Sequence, residues 1–155
     1  MSQPMREIAA KLDAGDGIAD ELLADFPPAI ARLYRRLRAE QADGQISDSQ
    51  LSVLALLVKQ GPHTLRALSD HEHVTPPSMN QTVNSLAGSG YVARQGDPAD
   101  GRKVILAATS EGVALIEETR RRRHAWLSAR LQELSAGERE LLSAATAIIR
   151  KIADS

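Results

Sequence analysis

The sequence predicts a mainly α-helical fold carrying one small β-hairpin. Three observations predict it. Apolar residues recur at spacings of three and four through most of the 155-residue chain. Capping patterns and Pro or Gly breaks cut that periodicity into separate helices. One stretch, residues 91–108, instead reads as two short strands around a turn dense in Gly, Asp and Pro. A chain of this size buries roughly two-thirds of its unfolded surface, so one core with helical extensions needs no disulfide or metal staple.

The elements follow in order. Residues 1–17 are a mixed lead-in with a short helix expected around Arg6–Leu12. From Ile18 to Ala42, Leu22, Phe26, Ile30, Leu33, Tyr34 and Leu37 form a helical stripe. Pro27-Pro28 interrupts it, which predicts a kink or a fresh start near Pro28. Ala42-Asp43-Gly44-Gln45 closes the segment. Ser47-x-x-Gln50 is a capping box opening a helix through Leu51, Val53, Leu54, Leu56, Leu57 and Val58, ended by Gly61-Pro62. Residues 64–69 allow only a brief helix before a turn over 70–74. Thr75-Pro76-Pro77-Ser78 starts another helix, because the residue before a proline favours the extended geometry of an N-cap and proline is tolerated in the first turn. Gly88-Ser89-Gly90 stops it. Strands at 91–95 and 103–108 flank a turn from Gly96 to Arg102. Thr109-Ser110-Glu111 opens a long helix to about Leu134. Ser135-x-x-Glu138 caps a last one carrying Leu141, Leu142, Ala145, Ile148, Ile149 and Ile152 on one side.

Three helices followed by a two-stranded ribbon is the layout of a winged helix-turn-helix. The helices at both chain ends are additional. Their apolar stripes require a partner, and a second copy is the simplest one. The expected organisation is an N-terminal dimerisation region (1–45), a winged DNA-binding domain (46–110), and a C-terminal long helix with a dimerisation helix (111–155).

Composition narrows the function. There is no cysteine, which excludes disulfides, thiolate catalysis and cysteine-based zinc fingers. Four aromatics, Phe26, Tyr34, Tyr91 and Trp126, are too few for recognition built on stacked bases. No apolar run approaches a membrane span of about 20 residues, and the first residues lack the apolar core of a secretory signal. The expected location is the cytoplasm, with no membrane partner. Net charge is −1, yet six acidic and two basic residues lie in the first thirty, while residues 61–110 balance four against four. The near-neutral total therefore does not argue against DNA. It predicts modest non-specific affinity and a shallow salt dependence.

The helix from Thr75 to Ala87 has the pattern of a reading head. Met79, Val83 and Leu86 share the core face. The opposite face centres on Pro77, Gln81 and Asn84, flanked by Ser78, Asn80 and Ser85. It holds neither Glu nor Lys, unlike an ordinary solvated face. Its amides and hydroxyls suit base edges in the major groove, Asn and Gln matching adenine in particular. At the hairpin, Arg102 and Lys103 follow the turn, and a projecting Arg102 fits an A·T-rich minor groove. Asp97 and Asp100 stand close enough in sequence to orient that guanidinium through a bidentate pair.

Taken together, Thr75-Pro-Pro-Ser-Met-Asn-Gln-Thr-Val-Asn-Ser-Leu86, Gly90-Tyr-Val-Ala-Arg94, Asp97-Pro-Ala-Asp-Gly-Arg-Lys103 and Leu106-Ala-Ala-Thr-Ser-Glu-Gly112 resemble the MarR (multiple-antibiotic-resistance regulator) family, over roughly residues 29–152. The D-P-x-D-x-R wing motif is the most specific element. The resemblance implies a homodimeric transcription factor, usually a repressor, released from a pseudo-palindromic operator by a small molecule. It implies DNA contacts at Thr75, Pro77, Ser78, Asn80, Gln81, Asn84, Arg94, Arg102 and Lys103. Asn80-Gln81 departs from the Arg or Thr-Arg common at that place, and Gly101 stands where Arg is frequent. The missing cysteine excludes the thiol-sensing branch.

Other candidates are weaker. Arg120 to Arg123 covers all faces of a helix, so pairing with Glu117 or Glu118 competes with a phosphate role. His71-Glu72-His73, with His63, is too loose and loop-borne for a metal, so no metal or cofactor is expected, and no catalytic arrangement is present. An effector pocket where dimerisation helices meet the DNA-binding core would draw on Phe26, Ile30, Tyr34, Leu57 and Trp126. Each of these also fits ordinary packing. The alternative function is a winged-helix protein-interaction module without an operator.

Overall fold

The computed structural model describes residues 17–44 and 46–155. The helix expected around Arg6–Leu12, and Gln45 at the close of the first long segment, lie outside the described residues. The chain is mostly helical with a small antiparallel sheet. In chain order it runs α1 (Ile18–Ala39), α2 (Asp48–Gln60), β1 (His63–Thr64), α3 (Leu65–His71), α4 (Pro76–Gly88), β2 (Val92–Gly96), β3 (Val104–Ala108), α5 (Ser110–Gln132) and α6 (Ala136–Ala153). It divides into two compact units. One is Glu40–Arg123. The other combines the residues before Glu40 with His124–Ser155.

Local hydrogen bonds explain where helices begin. The Ser47 hydroxyl accepts from the Gln50 amide at 3.2 Å, and the Gln50 side chain returns the bond to the Ser47 N–H at 2.7 Å. Ser135 and Glu138 repeat this box at the start of α6. Thr64 and Thr75 cap α3 and α4 by accepting from Ala67 and Ser78. Each bond satisfies a donor that the first helical turn leaves open.

The core of Glu40–Arg123 is assembled from Leu51, Val53, Leu54, Leu56 and Leu57 of α2, Leu68 of α3, Met79, Val83 and Leu86 of α4, Val92 and Leu106 of the hairpin, and Leu115 of α5. Those of α2 and α4 are the stripes that periodicity predicts. Tyr91 sits beside this core. Its hydroxyl donates to Asp43 Oδ2 at 2.9 Å, and that carboxylate, with partial burial, holds the phenol above its ordinary pKa.

Two features differ from the sequence-based expectation. The sheet has three strands, in the order β1-β3-β2, with His63 opposite Leu106 and Thr64 opposite Ile105. Two residues cannot display an alternating pattern, so β1 is invisible until β3 is beside it. Moreover, of the kink or fresh start expected near Pro28, the fresh start does not occur: α1 is one helix through Pro27 and Pro28. Those prolines leave the carbonyls of Leu23 and Ala24 without in-helix donors, but the positions are exposed and solvent can satisfy them. Acidic residues in the first turn (Asp20, Glu21) and basic residues in the last (Arg36, Arg38) match the helix dipole at its two ends.

In α6 none of the residues is buried; Ile148 and Ile152 are 61% and 60% exposed. Leu22, Leu23, Leu33 and Tyr34 of α1 are likewise exposed.

Candidate nucleic-acid interface

Helix α4 follows α3 after a tight turn in which His73 adopts a positive φ of 53°, a conformation that histidine tolerates better than β-branched residues. Met79, Val83 and Leu86 are all at most 1% exposed and anchor one face of α4. Pro77, Ser78, Asn80, Gln81, Asn84 and Ser85 are exposed on the other side. Several of these polar groups are held in place. Thr75 Oγ1 donates to Ser78 Oγ at 3.1 Å at the helix start. The Ser85 hydroxyl accepts from Gln50 Nε2 at 2.6 Å. Gln50 thus caps α2 and ties it to α4 at once, a role that the capping pattern alone does not disclose.

The face of α4 carries no charge of its own, but the hairpin adds one. Arg94 Nη2 donates to Asn84 Oδ1 at 2.8 Å and to Asn80 Oδ1 at 3.1 Å. Strand pleat explains the reach. Arg94 lies two residues from the buried Val92 and opposite the buried Leu106, so it shares their side of the ribbon, the side towards α4. Sequence reading names Arg94 as a DNA contact without placing it on the amides of α4. The available signal was its parity with Val92.

At the wing tip, the turn is closed by the Asp97 N–H donating to the Lys103 carbonyl and the Lys103 N–H donating to the Asp100 carbonyl, both at 2.9 Å. Arg102 is 97% exposed. Its Nε lies 3.7 Å from Asp100 Oδ1, and Lys103 Nζ lies 3.9 Å from Asp100 Oδ2. Asp97 instead accepts from the Ala99 N–H at 2.8 Å, and Asp100 Oδ1 also accepts from the Arg102 N–H at 3.2 Å. The two aspartates thus shape the turn backbone. The contact of Asp100 with the guanidinium is a long, single one rather than the expected bidentate pair, and it leaves Arg102 projecting.

Arg121 and Arg122 both bond Glu118, the shortest contacts being 2.7 Å. Hydrogen bonds from Arg121 first, then Arg122, lower the Glu118 pKa to about 2. Because the folded pKa is depressed, these pairs are intact above the ordinary carboxylate range and are lost as pH falls towards 2. A carbon-detected NMR titration should place the Glu118 midpoint near 2. A midpoint at the ordinary carboxylate value would show that the pairs do not persist in solution. Around the histidines, His63 Nδ1 is 2.8 Å from the Gly61 carbonyl oxygen, His71 Nδ1 is 3.4 Å from Glu72 Oε1, and Glu72 accepts from Ser52 Oγ at 3.0 Å. Among the described residues no three potential ligands group as a metal site. Leu57 is 2% exposed in the core of Glu40–Arg123, whereas Phe26, Ile30, Tyr34 and Trp126 belong to the other unit. Trp126 has the guanidinium carbons of Arg36 and Arg130 at 5.9 and 5.8 Å from its ring centroid, within cation–π range. Its buried indole N–H has no hydrogen-bond partner among the described residues.

Comparison with known proteins gives a consistent result. A family model described as MarR family matches residues 46–104. An HTH-type transcriptional regulator of Mycobacterium tuberculosis is 38% identical over 133 residues, 86% of this chain and 93% of the relative. The HTH-type transcriptional repressor MdtR of Bacillus subtilis is 28% identical over 131 residues, 82% of this chain and 83% of the relative. A solved MarR family protein from Bacillus stearothermophilus shares the fold with a TM-score of 0.76 at 22% identity, covering 88% of this chain and 96% of that one.

Proposed function

The chain belongs to the MarR family of transcriptional regulators, and from that premise we propose that it is a homodimeric, sequence-specific DNA-binding repressor released from a pseudo-palindromic operator by a small molecule. One observation carries the DNA-reading part. A helix whose outer face, Pro77 apart, offers only amides and hydroxyls lies in the same compact unit as a hairpin that projects Arg102 into solvent. In this reading α4 enters the major groove. Asn80, Gln81 and Asn84 meet base edges, while Thr75, Pro77 and Ser78 approach the backbone at the helix start. Arg102, with Lys103 beside it, follows the adjacent minor groove.

Dimerisation is supported by the apolar residues that α1 and α6 leave uncovered. Repression is supported by the role named for MdtR, and effector release by family membership. The proposed functional division follows: residues 46–110 read DNA, and the helices before and after them pair two copies.

The test is fluorescence anisotropy on DNA upstream of the chain's own gene, titrated from low to physiological salt. We expect specific binding at about 10⁻⁸ M or tighter at physiological salt, weakening with salt but with a shallow slope. Gln81→Ala should cost about 1–3 kcal/mol and relax preference at one or two base pairs. Arg102→Ala should weaken A·T-rich sites more evenly. Weak binding that is indifferent to salt and sequence would overturn the proposal in favour of a protein-interaction module.

A further inference from the structure

We propose that Arg94 determines base preference indirectly, by fixing which edge of the Asn80 and Asn84 amides faces the DNA. This rests on the reading of α4 as the base-contacting helix. Guanidinium is only a donor, so each asparagine must turn its carbonyl oxygen towards Arg94 to make the observed bonds at 3.1 and 2.8 Å. The amide assignment therefore follows from chemistry and does not depend on distinguishing oxygen from nitrogen. Asn80 and Asn84 are one helical turn apart on the same face, and one Nη2 bridges both. With each oxygen engaged by Arg94, the two Nδ2 hydrogens become the stronger offer that each side chain makes to DNA.

That orientation changes the code. An asparagine free to turn reads adenine by accepting from N6 and donating to N7. An amide whose oxygen already accepts from Arg94 keeps one lone pair but is biased towards donating, and two donors match an edge with two acceptors, which in the major groove is guanine with O6 and N7. Arg94 thus converts two residues that by type suit adenine into guanine readers, without touching a base itself. It is a positioning residue, and its effect is visible in specificity as well as affinity.

The test is selection from a randomised duplex pool with the full-length protein and with Arg94→Met, which keeps an apolar stem and removes the donors. Asn80→Ala and Asn84→Ala identify the base pairs that these amides face. At those pairs the wild type should favour guanine over adenine by about fivefold or more, and Arg94→Met should abolish or reverse the preference while other positions stay unchanged. NMR of the free proteins gives a second readout: the Asn80 and Asn84 side-chain amides should become more mobile in Arg94→Met. Uniform weakening of all sequences in Arg94→Met, with the salt slope reduced by about 1, would mark Arg94 as a phosphate contact and overturn the proposal. Adenine preference at those pairs in the wild type overturns it as well. Failure of the wild type to select any consensus defeats the DNA-reading function itself, whereas a consensus unchanged by Arg94→Met defeats only the role given to Arg94.

Discussion

Gly112→Ala should lower stability by about 2–3 kcal/mol, with the unfolding midpoint falling by roughly 5–10 °C. Gly112 is buried in the first turn of α5, where that helix is stitched to the turn leaving α4. The Thr109 N–H donates to the Tyr91 carbonyl at 3.0 Å, the Thr109 hydroxyl donates to the Gly90 carbonyl at 2.7 Å, and the Gly112 N–H donates to the Thr109 hydroxyl at 3.1 Å. A Cβ at position 112 would fall well inside contact distance of the Tyr91 carbonyl oxygen and also press on Leu54 Cδ1. That oxygen is backbone and already engaged, so relief requires moving α5 off the core. Overpacking of this kind exceeds the gain of about 1 kcal/mol that alanine brings to a helix interior. Gly88→Ala is the internal control. No atom lies within 4 Å of a Cβ there, and its φ is not positive, so the midpoint should hold or rise slightly. Thermal unfolding by circular dichroism decides both. Equal midpoints for Gly112→Ala and wild type would mean the α5 junction is looser than described.

Ile148→Glu should abolish the proposed dimer and weaken operator binding by about 100-fold or more. Ile148 is among the most exposed apolar residues of α6, a helix with no buried residue, so the substitution removes no core packing. In a two-fold symmetric interface every substitution appears twice, and two carboxylates would be placed against apolar surface without partners. A monomer occupies one half-site alone and forfeits the effective concentration that links two modules, typically worth 10²–10⁴. Sedimentation should show a monomer at micromolar concentration with unchanged helix content. A dimer that survives Ile148→Glu would remove this part of α6 from the interface.

Some of this architecture is written in short-range chemistry. The starts of α2, α4 and α6 follow from Ser47 with Gln50, Thr75 before two prolines, and Ser135 with Glu138, because an N-cap bond joins residues at most three apart. The core faces of α2 and α4 follow equally directly, since a 3.6-residue period decides which side chains share a side. The sequence also carries the whole uncharged face of α4 and the wing turn with Asp97, Asp100 and Arg102.

What tertiary structure alone decided is non-local. Strand β1 exists only because β3, some forty residues later, supplies its hydrogen bonds. Continuity of α1 through Pro27 and Pro28 depends on exposure of the freed carbonyls, which a proline pair does not reveal. Arg94 reaches Asn80 and Asn84 because the hairpin register puts it on the side of Val92 and Leu106. The sequence thus determined a helix whose outer face carries uncharged amides. Only the packing of strand against helix decided that a guanidinium holds two of those amides, because that contact depends on how the chain returns in space and not on the spacing of residues along it.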